Sequence, residues 1–356
     1  MDLIRIQSFS GEEGKISDYI ASLFLGKDYN IVKDDDNNLF IFINGNEPVL
    51  TLNGHLDTVR PVNWKKDPFN PEKIGKNIYG LGSADMKSGL AVMIDIGLNK
   101  DFNLPVCLAF TVNEEQGSDS VKDGVETFLE NYKTEYAILL EPTVTDDRIN
   151  VAIGCQGRLE FDIHISGLAS HSSIYEKGVN AIYKACDIIK KIRDFSEKLQ
   201  PRNPVDDLYI KPAISVTKIK AGIAPNIIPD MCVITVDRRY SPDESKDAVI
   251  SELREITELE PIIVEDRPAF ISSKNSRLLH IAKNVFISEL GYWSPVIFRG
   301  WIDAALFHRA GIDVINLGPG YSGVGHSPEE HCNVDNMVIV EKLILKIISE
   351  LEKTHR

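Results

Sequence analysis

The chain has 356 residues, about twice the length of one ordinary domain, so two domains are expected. Hydrophobic residues make up 43% and charged residues 26%, the balance of a globular protein with ample core, and a net charge of −14 leaves no basic face to displace counterions from phosphates, which excludes nucleic acid as a partner. No apolar stretch approaches the roughly 20 residues that span a bilayer, and the N-terminus lacks the basic flank and apolar run of a signal peptide, so a cytoplasmic protein with no membrane association is expected.

In chain order, Ser10-Gly11-Glu12-Glu13 has the form of a capping box, with Ile16, Tyr19, Ile20 and Leu23 following at helical spacing. Apolar runs at 38–43, 48–53, 105–113 and 135–141 read as strands. Between them, 88–98 and 121–132 read as helices, and this alternation favours an α/β layer on a mainly parallel sheet. At Arg158 the style changes. Segment 158–165 alternates strictly, with Leu159, Phe161, Ile163 and Ile165 on one face. A helix follows whose stripe is Ala181, Ile182, Ala185, Ile188, Ile189, Ile192 and Phe195. Then come strands at 213–219 and 231–237, a helix around 243–257 and a strand at 261–265, which is the βαββαβ order of a ferredoxin-like unit. From 268 the α/β style resumes, with helices around 275–290 and 302–310, strands at 294–298 and 312–317, and a last helix at 335–352. The expected architecture is a discontinuous α/β domain (1–157 and 268–356) interrupted by a small α+β domain (158–267).

In open α/β sheets, ligands bind beyond the carboxyl ends of the strands. Ionisable residues gather at those ends here. Strand 48–53 runs into Gly54-His55-Leu56-Asp57, strand 105–113 ends at Glu114-Glu115, strand 135–140 at Glu141-Pro142, and strand 312–317 leads to a glycine-rich loop carrying His326. Asp85 stands in the glycine-rich turn GLGSADMKSG just before a helix. One strand-end acid, or one histidine, is ordinarily a solvated or structural residue. Five converging on one sheet edge form an N/O ligand set without thiolate, suited to Zn, Co or Mn in a catalytic site. The five cysteines (Cys107, Cys155, Cys186, Cys232 and Cys332) are widely spaced with no CxxC pair, which argues against a disulfide framework or a cysteine zinc site. A hydrolase also needs a carboxylate off the metal to take the proton of the attacking water, and the Glu114-Glu115 pair can divide those two jobs.

These residues lie in motifs that resemble, in order and through nearly the whole chain, the co-catalytic zinc metallopeptidase and deacylase family of carboxypeptidase G, aminoacylase, acetylornithine deacetylase and succinyl-diaminopimelate desuccinylase. The motifs are GHLDTV (54–59), GLGSADMKSG (80–89), NEEQGS (113–118), EP (141–142), SGLASHSS (166–173), APNIIP (224–229), DRRY (237–240) and the stretch from LGPG to GHSPEE (317–330). The resemblance implies a zinc-peptidase-like catalytic domain with a ferredoxin-like insert serving as lid and dimerisation surface. It implies two divalent metals per subunit, zinc by family habit with cobalt or manganese as alternatives. Asp85 would bridge them, His55 and Glu141 would complete one metal, and Glu115 and His326 the other. Asp57 would accept the imidazole N–H of His55, and Glu114 would be the general base.

The same resemblance gives the insert a share in the site. His171 corresponds to the family histidine that reaches the partner subunit's site, and Asn226 and Arg239 to residues holding a substrate carboxylate, with Arg238 the adjacent alternative. Gly300 and Asp303 fall on a substrate-side loop, although Trp301 and Ile302 depart from the family pattern there. His164, His280, His308 and His331 are not expected at the site, and Cys332 is expected to be structural. The implied protein is a homodimeric amidohydrolase of amino-acid metabolism that removes an acyl group from an N-acyl amino acid. A dipeptidase or carboxypeptidase would use the same site. The short insert leans to the deacylases. A scaffold protein that kept only the fold would be free to lose Glu114 and the ligands, and all are present. The turn at 80–89 has neither GxGxxG nor a GK[ST] phosphate loop, so it is not a nucleotide site.

Overall fold

The computed structural model describes residues 1–99, 101–115, 122–205 and 207–355, which divide into two compact units. The first comprises Met1–Ile153, Ser272–Val296 and Ile302–Arg356. The second comprises Gly154–Ile271 with Ile297–Trp301. Among the described residues no helix is long and apolar enough to cross a membrane.

The first unit is built on a mixed sheet. Strands Val106–Thr111, Leu50–His55, Tyr136–Thr145 and Asp313–Tyr321 lie side by side in that order, all parallel. Strands Leu39–Ile43 and Asn30–Lys33 extend one edge in antiparallel fashion. The four central strands are buried almost throughout, so they read as continuous apolar runs and not as alternating ones. Helix Ser88–Asn99 packs close against this sheet. A Cβ on Gly54 would lie 2.5 Å from the Met86 methyl and 2.8 Å from Leu90, so a larger residue just before His55 would push these side chains aside.

The helix expected from the capping box runs Gly14–Leu23, but its N-cap is Glu13 and no side chain caps it. Ser10 Oγ instead donates to Asp57 Oδ2 at 2.7 Å, and Glu13 Oε1 accepts from the Gly11 and Asn113 N–H groups. Residues that look like a local helix start serve a contact made far along the chain. Helix Gly124–Asn131 begins after the expected start at 121, a position outside the described residues, with Asp123 as its cap.

In the second unit, strands Ala213–Ala221, Met231–Tyr240, Gly157–Ser166 and Ile262–Arg267 form an antiparallel sheet in that order, the ferredoxin-like arrangement. Leu159, Phe161, Ile163 and Ile165 all point to the core, where they meet Ala185, Ile188 and Ile192 of helix Ala181–Ser196 and Val249 and Leu253 of helix Lys246–Thr257. Phe161 is fully buried. Phe161→Ala is expected to lower stability by about 3–5 kcal/mol, read as a shift in the urea unfolding of this unit. A hairpin, Arg202–Val205 with Leu208–Ile210, was not legible beforehand, because Pro201 and Pro204 break its pattern.

Candidate metal centre

The five expected ligands all come from the first unit, and the sheet delivers them to one edge. His55 is the last residue of Leu50–His55 and is 2% exposed. Its Nδ1 is 2.9 Å from the Asp57 main-chain oxygen and 3.5 Å from Asp57 Oδ1. A proton on Nδ1 therefore leaves Nε2 as the free donor atom, 3.2 Å from Asp85 Oδ1 and 3.4 Å from Glu141 Oε1. Glu141 lies within Tyr136–Thr145 and is buried. His326 Nε2 is 2.9 Å from Glu115 Oε2 and 3.6 Å from Asp85 Oδ2. The two Asp85 oxygens thus face different histidines.

Asp57 has a wider task than accepting one imidazole proton. Its carboxylate accepts from the Ser10 hydroxyl and from the N–H groups of Glu114 and Glu115 at 3.3 and 3.1 Å. The His55 hydrogen bond expected of this carboxylate goes chiefly to its main-chain oxygen, and the carboxylate orients the Glu114-Glu115 turn. Gln116–Ser118 of the NEEQGS motif lie outside the described residues.

The electrostatics follow from five acids, Asp57, Asp85, Glu114, Glu115 and Glu141, crowded around two imidazoles. Burial opposes a charge on His55, but Glu141, Asp57 and Asp85 outweigh it and hold its pKa well above the ordinary value. The hydrogen bond to Glu115 raises His326 to about 9. Burial, with Asp85 adding to it, lifts Glu141 to about 7, and burial with Asp85 also raises Glu115. Burial raises Glu114 well above the usual range, helped by Glu141 and Asp303. Such a concentration of acids fits cations. Ligand atoms of His55, Asp85 and Glu115, and separately of His55, Glu114 and Glu141, lie within 4.8 Å of one another. The set is imidazole and carboxylate only, matching the chemistry of Zn, Co or Mn in a catalytic site.

Glu13 is the buried acid behind this cluster, and sequence reasoning assigned it only to a helix cap. Burial lifts its pKa to about 7, with Asp57 adding to the rise. A folded-state pKa above the unfolded value means that the native state holds the extra proton between about pH 4.5 and 7, so stability is lost as pH rises through that window. Glu13→Gln keeps an oxygen for both N–H donors. In metal-stripped protein it is expected to be more stable than the parent at pH 8 by about 1–3 kcal/mol, and little different at pH 4.5, by urea midpoint.

Asp303 is buried at the N-cap of helix Ala304–Arg309 in the first unit. His171, Asn226, Arg239 and Gly300 belong to the second unit. There His171 is exposed and pairs with Ile227, and Ser172 N–H donates to the Asn226 carbonyl at 2.9 Å, so these two expected residues are neighbours. Arg238 and Arg239 separate cleanly. Arg238 is buried and locked by Glu244 at 2.8 Å and Glu252 at 3.0 Å. Arg239 is half-buried and holds Asp237 at 2.8 Å, so of the pair it is the guanidinium within reach of solvent. His331, set aside on sequence, stacks on Tyr79 with ring centroids 4.9 Å apart.

A residue given no role in advance closes the inventory. Glu330 is 1% exposed, and its carboxylate accepts from three N–H groups of the Asp85 turn. Burial raises its pKa to about 7 despite those donors. The only signal for it was the acidic doublet after GHSP.

The molecule is similar to a succinyl-diaminopimelate desuccinylase of Corynebacterium glutamicum, 27% identical over 372 residues, with 98% of this chain and 94% of that one covered. Its fold matches a tripeptidase of Staphylococcus aureus with a TM-score of 0.76 at 22% identity, covering 99% of this chain and 96% of that one. It also matches a dinuclear metal binding peptidase of Bacillus subtilis with a TM-score of 0.72 at 16% identity, covering 99% and 96%. The sequence pattern of peptidase family M20/M25/M40 spans residues 51–350, and the chain belongs to that family of metal-dependent hydrolases of amide and peptide bonds.

Proposed function

We propose that this hydrolase removes an acyl group from an N-acyl amino acid, using a site that holds two divalent metals, zinc first among them. The observation that carries the reading is the full-length likeness to a desuccinylase, joined to a cluster in which one carboxylate, Asp85, faces both histidines. His55, Asp85 and Glu141 would hold one metal, and Asp85, Glu115 and His326 the other. Bound there, the metals supply Lewis acidity toward the amide carbonyl and a water acidic enough to attack at neutral pH.

Glu114 is the general base in this reading. It takes a proton from the attacking water and returns it to the leaving amine, a task suited to a carboxyl whose pKa burial raises well above the usual carboxylate range. Asp57 keeps the His55 tautomer and the Glu114-Glu115 turn in place. Asn226 and Arg239 would hold the substrate carboxylate, a planar guanidinium pairing with it in a fork. Gly300 and Asp303 would border the substrate. We assign 158–267 as lid and dimerisation domain of a homodimer in which His171 serves the partner's site by hydrogen-bonding the oxyanion. His171→Ala is accordingly expected to lower kcat by about 10²-fold or more with little change in unfolding midpoint, and an unchanged rate would sink the lid role.

Peptide cleavage is the second reading, favoured by the fold match to a tripeptidase. The test is hydrolysis of N-acetyl and N-succinyl amino acids beside di- and tripeptides, by protein stripped of metal and reloaded with zinc, cobalt or manganese. Metal-dependent release of acyl acids supports the deacylase reading. Cleavage of peptides alone overturns it in favour of peptidase activity.

A further inference from the structure

The buried Glu330 carboxylate touches no reacting group in the reaction above, yet one short stretch of backbone is organised around it. Oε2 accepts from the Gly82 N–H at 2.9 Å, and Oε1 accepts from the Ala84 and Asp85 N–H groups at 3.0 Å each. The turn needs an outside acceptor because it is not a regular helix. Gly82 is left-handed at φ 75°, and Asp85 (φ −120°, ψ 95°) and Met86 (φ −128°, ψ 33°) both leave helical geometry. Ser83 and Lys87 N–H groups find backbone acceptors in Gly80 and Gly82. Behind the turn there is no slack, since a Cβ on Gly320 would lie 2.2 Å from the Ala84 oxygen.

Glu330 also belongs to the loop that carries His326. Its own N–H donates to the Ser327 oxygen at 3.1 Å, and its main-chain oxygen accepts from Gly80 N–H at 3.3 Å. One residue therefore joins the turn bearing Asp85 to the loop bearing His326.

We propose that Glu330 is a positioning residue of the metal centre, fixing the Asp85 turn against the His326 loop so that the Asp85 carboxylate stands between the two histidines. The proposal rests on the reading of Asp85 as a shared ligand. A carboxylate is required because both of its oxygens only accept. Glutamine has one accepting oxygen, and its amide N–H₂ would face at least one backbone N–H.

The test titrates zinc against a chromogenic chelator into the metal-stripped full-length chain and its Glu330→Gln, Glu330→Asp and Asp85→Asn variants. Folding is checked by circular dichroism, and the visible spectrum is recorded after loading with cobalt. Glu330→Gln is expected to fold, to bind zinc about tenfold or more weakly, and to shift the cobalt bands, because an outer residue that orients a ligand changes both affinity and geometry. Glu330→Asp keeps the buried charge but withdraws it by about one C–C bond, ~1.5 Å, and is expected to weaken zinc in the same direction. It serves if the glutamine variant does not fold. Parental zinc affinity and cobalt spectrum in a folded Glu330 variant, with Asp85→Asn weakened, would overturn the positioning role and leave the metal site standing. Parental affinity in Asp85→Asn would overturn the ligand reading on which it rests.

Discussion

Glu114→Ala is expected to keep about two metals per chain while kcat falls by about 10²–10⁴-fold, the range supplied by a positioned general base. Metal analysis beside steady-state kinetics checks it. The geometry makes the test a sharp one, because the Glu114 carboxylate lies within 4.8 Å of ligand atoms on His55 and Glu141. A residue so placed has the reach of a ligand as well as of a base. Loss of one metal in the variant, with zinc affinity falling in step with rate, would assign Glu114 to the metal and reverse its role with Glu115.

Asp85→Asn is expected to lower bound zinc from about two to below about one per chain and to abolish turnover, measured by metal analysis after dialysis. Asp85 Oδ1 is 3.2 Å from His55 and Oδ2 is 3.6 Å from His326, so one side chain serves both halves of the cluster. Asparagine leaves only one good oxygen and removes a negative charge that supports both imidazoles. Retention of one tightly held metal would show that the halves are independent.

What was legible beforehand has a physical pattern. The alternation of Leu159 to Ile165 and the stripe from Ala181 to Ile192 were plain, because a two-layer unit buries one face of each element and leaves the period visible. The placement of His55, Glu115, Glu141 and His326 at one sheet edge could be argued from strand ends alone, since parallel strands all point their carboxyl ends the same way. What stayed hidden depends on partners far away in sequence. Ser10 and Glu13 spell a helix start but are taken up by Asp57, Gly11 and Asn113. The strand Val151–Cys155 is continuously buried and so has no period to show. Beyond the acidic doublet Glu329-Glu330 nothing marks Glu330, because its three donors are backbone groups that no sequence displays.

The order of residues along the chain gives the metal cluster a place in time. His55, Asp85, Glu115 and Glu141 all precede the second unit, whereas His326 and the strand Asp313–Tyr321 that delivers it follow. That strand pairs with Tyr136–Thr145 across the whole intervening segment. During synthesis, four of the five proposed ligands leave the ribosome before the strand that completes their sheet edge has been made. The second unit, whose strands and helices close on themselves, has everything it needs to fold in that interval. The full set of donors therefore exists only once residue 326 has been made, and a chain cut short before residue 313 would carry His55, Asp85, Glu115 and Glu141 without His326.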